Sequence, residues 1–95
     1  MAAMVFLNFE IDDYDAWKPG FDKDPAGRKD SGATGHKISR AADNPNDVFI
    51  RVEFPAVDQA RAFRQRLVDS GALDRPGTKV KTGPLVAEVA ETVEY

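Results

Sequence analysis

Two stretches of the chain alternate between apolar and polar residues with a period of two, which is typical of half-buried β-strands. They are Met4–Ile11 and Val48–Phe54. One side of each strand is apolar throughout. These positions are Val5, Leu7, Phe9 and Ile11 in the first stretch and Val48, Ile50, Val52 and Phe54 in the second. Leaving such side chains in water would forgo about 1.5–3 kcal/mol each, so the two apolar sides are expected to share one core.

Each alternating strand leads into a segment with helical spacing. In the first, Asp12 or Asp13 can accept the free amides of an opening helical turn. The inward stripe of this helix would consist of Tyr14, Trp17, Phe21 and Pro25. We expect a kink at Pro19-Gly20 and an end near Ser31.

The second helix is predicted over Ala56–Ser70, and Gly71 stands where a helix commonly ends in a left-handed residue. Its apolar face would hold Ala56, Ala60, Phe63 and Leu67.

The remaining segments complete a sheet. A weaker strand is predicted over Thr34–Ala41, and the Asn- and Asp-rich stretch Asp43–Asp47 is a strong turn signal. A hairpin there would pair the second and third strands antiparallel. After a loop at Leu73–Thr78, the segment Lys79–Tyr95 is predicted to be β-structure, broken at Gly83-Pro84.

The order of elements is therefore β-α-β-β-α-β. When the sequence is aligned with itself at an offset of 43 residues, Phe6–Ile11 falls on Phe49–Phe54, and the two segments share a similar order of apolar and polar residues. This order predicts a ferredoxin-like α+β domain over residues 1–95, with two helices on one face of an antiparallel sheet.

Composition narrows the functional classes. The 95 residues carry a net charge of -3 and no cysteine, which excludes disulfides, thiolate catalysis and Cys-ligated zinc. The acidic balance argues against nucleic acid or membrane as a partner. An RNA-binding domain of this fold is a weaker alternative, because RNP-type segments are missing. No secretory signal is evident at the start of the sequence, so a cytoplasmic protein is expected.

The face of the sheet that the helices leave open is mixed in character. It would carry Phe6, Asn8, Glu10, Phe49, Arg51 and Glu53. Two phenylalanines among charges suit a sheet-on-sheet homodimer interface, and the alternative is an ordinary solvent-exposed face.

Three segments together resemble the small bacterial dimeric α+β-barrel proteins related to antibiotic-biosynthesis monooxygenases and cyclase-like proteins. They are Asp13–Asp22, Ala33–Arg40 and Asp43–Pro55. The resemblance implies two ferredoxin-like subunits packed sheet to sheet, with a ligand cavity between the sheet and helices of each. It implies no single chemistry, since these proteins include heme-degrading, cofactor-free oxidising and lyase-like members.

Candidate site residues follow from these patterns. His36, the only histidine, is the candidate general base, and the alternative is a surface histidine. Trp17, Tyr14 and Phe21 are candidate ligand-binding aromatics or, alternatively, plain core residues. Arg28 and Arg64 fall on inward arcs, where they could hold an anionic group or simply extend to solvent.

The sequence predicts no metal site, because one histidine without a carboxylate cluster cannot build one. No cofactor motif is present either. Two functions are therefore consistent with the sequence. The first is a homodimer that binds a small apolar or aromatic molecule as a cofactor-independent monooxygenase or cyclase-like enzyme. The second is a non-catalytic dimeric binding module.

Overall fold

The structure is a computed structural model and describes residues 2–95. Its elements follow the predicted β-α-β-β-α-β order. They are β1 (Ala3–Ile11), α1 (Tyr14–Asp22), β2 (Gly35–Ala41), β3 (Asn44–Phe54), α2 (Val57–Asp69) and β4 (Thr78–Glu88). The strands form one antiparallel sheet in the order β2-β3-β1-β4. The predicted ferredoxin-like α+β fold is confirmed.

The register between the two central strands explains the core. Val5 faces Val52, Leu7 faces Ile50, and Phe9 faces Val48, so the apolar side of β1 continues into that of β3. All eight positions predicted to face inward are buried. Helix α2 packs on this surface through Ala60 and Phe63, and the Phe63 ring lies 5.4 Å from that of Phe54.

The first helix is shorter than predicted. Asp13 caps it by accepting the Asp15 N–H at 3.0 Å, but the helix ends at Asp22 and not near Ser31. Asp24 adopts a φ of 55°, and its carboxylate accepts the backbone N–H groups of Arg28 and Lys29. An acidic side chain that binds the backbone in this way competes with helix formation. Pro25 is therefore in a loop and not on a helical stripe.

The hairpin between β2 and β3 turns earlier than predicted. Ala41 pairs with Asn44, which leaves only Ala42 and Asp43 as the turn and places Pro45 at the start of β3. Proline is tolerated there because the first residues of a strand need not donate to a neighbour.

The last strand also differs from the prediction. β4 runs through Gly83-Pro84 without a break and ends at Glu88, and residues 89–95 form no strand. The pairing with β1 shifts register between Phe6 and Asn8, beside Gly83. A bulge therefore absorbs the Gly-Pro pair, which sequence reasoning interpreted as a break.

Neither helix found in residues 2–95 has the length and apolar character needed to cross a membrane.

Candidate functional site

An apolar cavity of about 110 Å³ lies between the sheet and the two helices. The sheet supplies its floor, through Val5, Leu7, Phe9, Ile50 and Val52. These are the alternating residues that pattern alone assigned to the core. The cavity therefore lies on the buried face of the two central strands.

The walls come from both helices and from the loops that follow them. Helix α1 contributes Trp17, Gly20 and Phe21, and helix α2 contributes Phe63 and Leu67. The loop after α1 adds Pro25, Ala26 and Arg28, and the loop after α2 adds Ala72, Leu73 and Arg75, followed by Thr78 of β4. Of the described residues that line this space, only Arg28, Arg75 and Thr78 are polar.

The cavity exists because the two helices meet the sheet differently. Helix α2 buries Ala60 and Phe63 fully against it, whereas none of the described residues of α1 is buried. Helix α1 instead reaches the sheet through large aromatic side chains. Gly20 also lines this space, and a Cβ built there would meet nothing within 4 Å.

The aromatic residues predicted as ligand contacts form a row. The Trp17 ring centroid lies 5.4 Å from that of Phe9, 5.0 Å from Phe21 and 5.8 Å from Tyr14. Such spacings are favourable for aromatic pairs. Trp17 and Phe21 line the cavity, but Tyr14 does not. Tyr14 instead lies at one end of the row, beneath the guanidinium of Arg40 at 3.9 Å.

His36 lies at the other end of the row. Its ring meets the edge of Phe21 at a centroid distance of 5.2 Å, on the side of the sheet that faces the helices. The histidine is exposed and does not line the cavity. The phenylalanine therefore separates the imidazole from the enclosed space. A role for His36 as general base stays a prediction.

Arg28 is a wall of the cavity, although the reason is not helical spacing. Its guanidinium carbon lies 3.6 Å from the centre of the Phe21 ring, and Nη2 donates to the Phe21 carbonyl at 3.0 Å. Its Nε is 3.6 Å from the Asp24 carboxylate. Burial lowers the pKa of Arg28, and the carboxylates of Asp24 and Asp22 oppose this shift. A guanidinium remains protonated under such a shift, so the wall is cationic.

The partner carboxylate is held in its charged form. Burial by itself raises the pKa of Asp24, but the hydrogen bonds from the Lys29 and Arg28 N–H groups outweigh it, and the net pKa is lowered. The loop after α1 is thus fixed by an ion pair and two backbone hydrogen bonds on a single aspartate.

Arg64 is not brought to the cavity. It is exposed on α2, and its Nε donates to the Pro84 carbonyl at 2.8 Å, which ties the helix to β4. This contact is structural, because it satisfies a backbone group beside the bulge.

Sequence reasoning missed the loop after α2. Leu73 and Arg75 were predicted to lie in a plain loop, yet both line the cavity, as does the preceding Ala72. One signal was available, because Leu73 is the only large apolar residue between Ser70 and Gly77. A lone leucine in a polar loop indicates a contact with an apolar surface elsewhere in the fold.

The open face of the sheet carries a polar network at its centre. Asn8 is only 8% exposed, and its amide donates to the Asp47 carboxylate at 2.9 Å and to the Val48 carbonyl at 3.0 Å. Lys81 reaches the same carboxylate from β4 at 3.1 Å. The network connects β3, β1 and β4. Phe6 and Phe49 lie half-buried beside it.

This network predicts a pH effect on stability. The hydrogen bonds from Asn8 and Lys81 lower the pKa of Asp47 below its ordinary value. A carboxylate with a lowered folded-state pKa stabilises the fold above its unfolded pKa of about 3.9, and this contribution is lost as pH falls through the folded value. In Asp47→Asn, the loss of unfolding free energy between pH 5 and pH 3 should therefore be smaller than in the wild type. Urea unfolding across that range measures it.

The control is Asp30→Asn, because that exposed aspartate makes no side-chain hydrogen bond or ion pair within residues 2–95. Its acid dependence should match the wild type. If the free energy of unfolding fell by the same amount between pH 5 and pH 3 in all three proteins, the role given to Asp47 would be contradicted.

The elements above form a ferredoxin-like α+β domain with an apolar cavity between its sheet and helices, and solved structures that share this fold include the following two. One is SnoaB, a cofactor-independent oxygenase from Streptomyces nogalater solved as a mutant, with a TM-score of 0.65 and 13% sequence identity over 99% of this chain and 98% of that one. The other is Rv0793 from Mycobacterium tuberculosis, with a TM-score of 0.62 and 14% identity over 99% and 100% of the two chains.

No protein-family model matches this chain, and no curated protein matches it. At identities of 13% and 14% the structural likeness establishes the fold alone. It confirms the ferredoxin-like fold that the resemblance of the sequence segments implied.

Proposed function

We propose that this chain forms a homodimer through the open face of its sheet and binds a small aromatic molecule in the cavity beside Trp17. The observation that carries the proposal is the cavity itself. Its volume is about 110 Å³ and nearly all of its lining is apolar. Apolar ligand surface removed from water in such a space is stabilised by about 25 cal/mol per Å².

The volume also sets the size of the ligand. An engineered apolar cavity of about 150 Å³ is known to bind benzene, whereas drug-sized molecules need about 300 Å³ or more. The space next to Trp17 therefore suits a single aromatic ring. Trp17 and Phe21 supply aromatic surfaces for such a ring to pack against.

The experiment that tests this proposal uses the single tryptophan of the chain. The purified protein is titrated with toluene, phenol and benzamide, and the one indole N–H resonance is followed by heteronuclear NMR. Saturable shifts of that resonance support a ligand site beside Trp17. Absence of any shift up to the solubility limit of all three compounds would refute the site.

The homodimer rests on the composition of the open face. Phe6 and Phe49 are half-buried there, and Leu85, opposite Phe6 in the register, is 52% exposed. The same face carries positive and negative side chains. Nε of Arg51 lies 3.4 Å from Oε1 of Glu53. A face with an apolar centre and both charges can pair with its own copy about a twofold axis.

This proposal predicts the effect of one substitution. Phe49→Glu should convert a dimer into a monomer, because it replaces an apolar ring of each copy with a charged group that must lose its water to enter the interface. Sedimentation velocity at about 50 μM protein measures the mass. The control is Val68→Glu, which makes the same change at an apolar residue of α2 that is 43% exposed. A dimeric Phe49→Glu protein, or a monomeric wild type, would contradict the interface.

A cofactor-independent oxygenase is the second candidate function. The likeness to SnoaB favours it, and His36, whose ring contacts the cavity-lining Phe21, is the one imidazole near the site. Without a cofactor, all the electrons that reduce O₂ must come from the substrate. Oxygen uptake with hydroquinone, an oxidisable single ring, should then depend on His36 and fall in His36→Ala. If hydroquinone binds but no oxygen is consumed, the oxygenase function is refuted and a non-catalytic binding module remains.

A further inference from the structure

The cavity lining contains charge of only one sign. Arg28 and Arg75 both line it, and no aspartate or glutamate is found among the described lining residues. Two guanidinium groups beside an apolar space make that space favourable for a negative charge. The two arginines are not equivalent, however, because their other contacts differ.

Arg28 has little capacity left for a ligand. It donates to the Phe21 carbonyl, lies over the Phe21 ring, and is paired with Asp24, while its side chain is only 13% exposed. These contacts hold the loop after α1 against the helix. The guanidinium of Arg28 therefore acts mainly as part of the wall.

The guanidinium of Arg75 is not engaged in this way. Its side chain makes no hydrogen bond or ion pair within residues 2–95, and the residue is exposed at the rim of the cavity. The backbone around it is nevertheless fixed by turn hydrogen bonds. Asp74 N–H donates to the Gly71 carbonyl and Thr78 N–H donates to that of Arg75, each at 3.1 Å. The backbone of Arg75 is thus anchored at the opening of an apolar, ring-sized space, and the donors of its guanidinium are free to bind a ligand.

We propose that Arg75 determines specificity for an acidic ligand, so that the cavity takes a single aromatic ring bearing a carboxylate. The ring would occupy the space beside Trp17, and the carboxylate would lie at the rim, where the fork of Arg75 can bind both oxygens. This inference rests on the proposed ligand site and adds the chemical class of the ligand.

The experiment compares two probes of the same shape. Benzoate carries the carboxylate, and benzamide replaces it with a neutral group. Dissociation constants come from the Trp17 indole N–H resonance at low ionic strength. The wild type should bind benzoate roughly tenfold more tightly than benzamide, since a charge-assisted bidentate contact is about that much stronger. Arg75→Gln should lose this preference and leave the benzamide affinity unchanged.

The matched control is Arg61→Gln, which removes the same charge from an exposed position of α2 outside the cavity lining. It should keep the preference for benzoate. Equal affinities of the wild type for the two probes would overturn the acidic-ligand inference and leave the proposed site intact. A benzoate preference that survives in Arg75→Gln would overturn the assignment to Arg75. If neither probe shifts Trp17, the proposed site itself fails.

Discussion

Gly20→Leu is expected to abolish binding of aromatic ligands while it stabilises the protein. Gly20 lines the cavity, and a Cβ built there would meet nothing within 4 Å. A leucine at this edge of the cavity is expected to turn its carbons into the apolar space, so that a ring can no longer enter. Removing a glycine from a helix also contributes about 0.5–1 kcal/mol. The dissociation constant for benzoate should rise at least about tenfold, and the thermal midpoint should rise by about 4 °C.

The opposite signs of the two effects distinguish this result from simple damage. Ligand affinity is read from the Trp17 resonance, and stability from thermal unfolding by circular dichroism. The control is Ala16→Leu, which places the same side chain on an exposed position of the same helix. It should leave affinity unchanged. Retained binding in Gly20→Leu would show that the ligand occupies another place.

Gly83→Ala is expected to destabilise the fold by more than about 2 kcal/mol. Gly83 has a φ of 91°, a conformation that costs other residues about 1–3 kcal/mol, and its Cβ would clash with the Phe6 carbonyl oxygen. That oxygen belongs to the backbone of a central strand. It cannot move away without disturbing the pairing of β1 with β4.

Urea unfolding measures this loss, and Gly35→Ala is the control. Gly35 starts the edge strand β2, has an ordinary φ, and offers open space to a Cβ. Its substitution should change stability by less than about 0.5 kcal/mol, as is usual for surface positions. Equal stability of the two variants would mean that the bulge accommodates a side chain at position 83.

The buried sides of β1 and β3 could be predicted from the sequence, because each depends only on the order of residues within its own strand. A period of two in β1 and β3 identifies the buried side of each strand, and slipping either by one residue would expose its whole apolar set. The element order then leaves few ways to arrange one sheet and two helices. Boundaries were less well predicted, because Asp24 binds the backbone and ends α1 early, and because a bulge lets β4 continue through Gly83-Pro84.

The candidate site was only partly accessible from sequence. Helical spacing correctly placed Trp17 and Phe21 on the inward side of α1, and both line the cavity. Arg28 also lines it, but through a turn and not through the helix that its spacing suggested. Tyr14, Arg64 and His36 lie outside the lining, because their distance from the cavity depends on how α1, α2 and β2 are arranged in space.

The sequence by itself determined the two central strands and their buried side through a period of two, and the two helices through helical spacing, since burial of apolar side chains acts on each element separately. Tertiary structure alone decided where space remains. The gap beside Gly20 depends on how far α1 stands from the sheet, and the position of Arg75 depends on a loop from a distant part of the chain. Packing between elements sets both the gap beside Gly20 and the position of Arg75. Neither can be predicted from the periodicity of a single element.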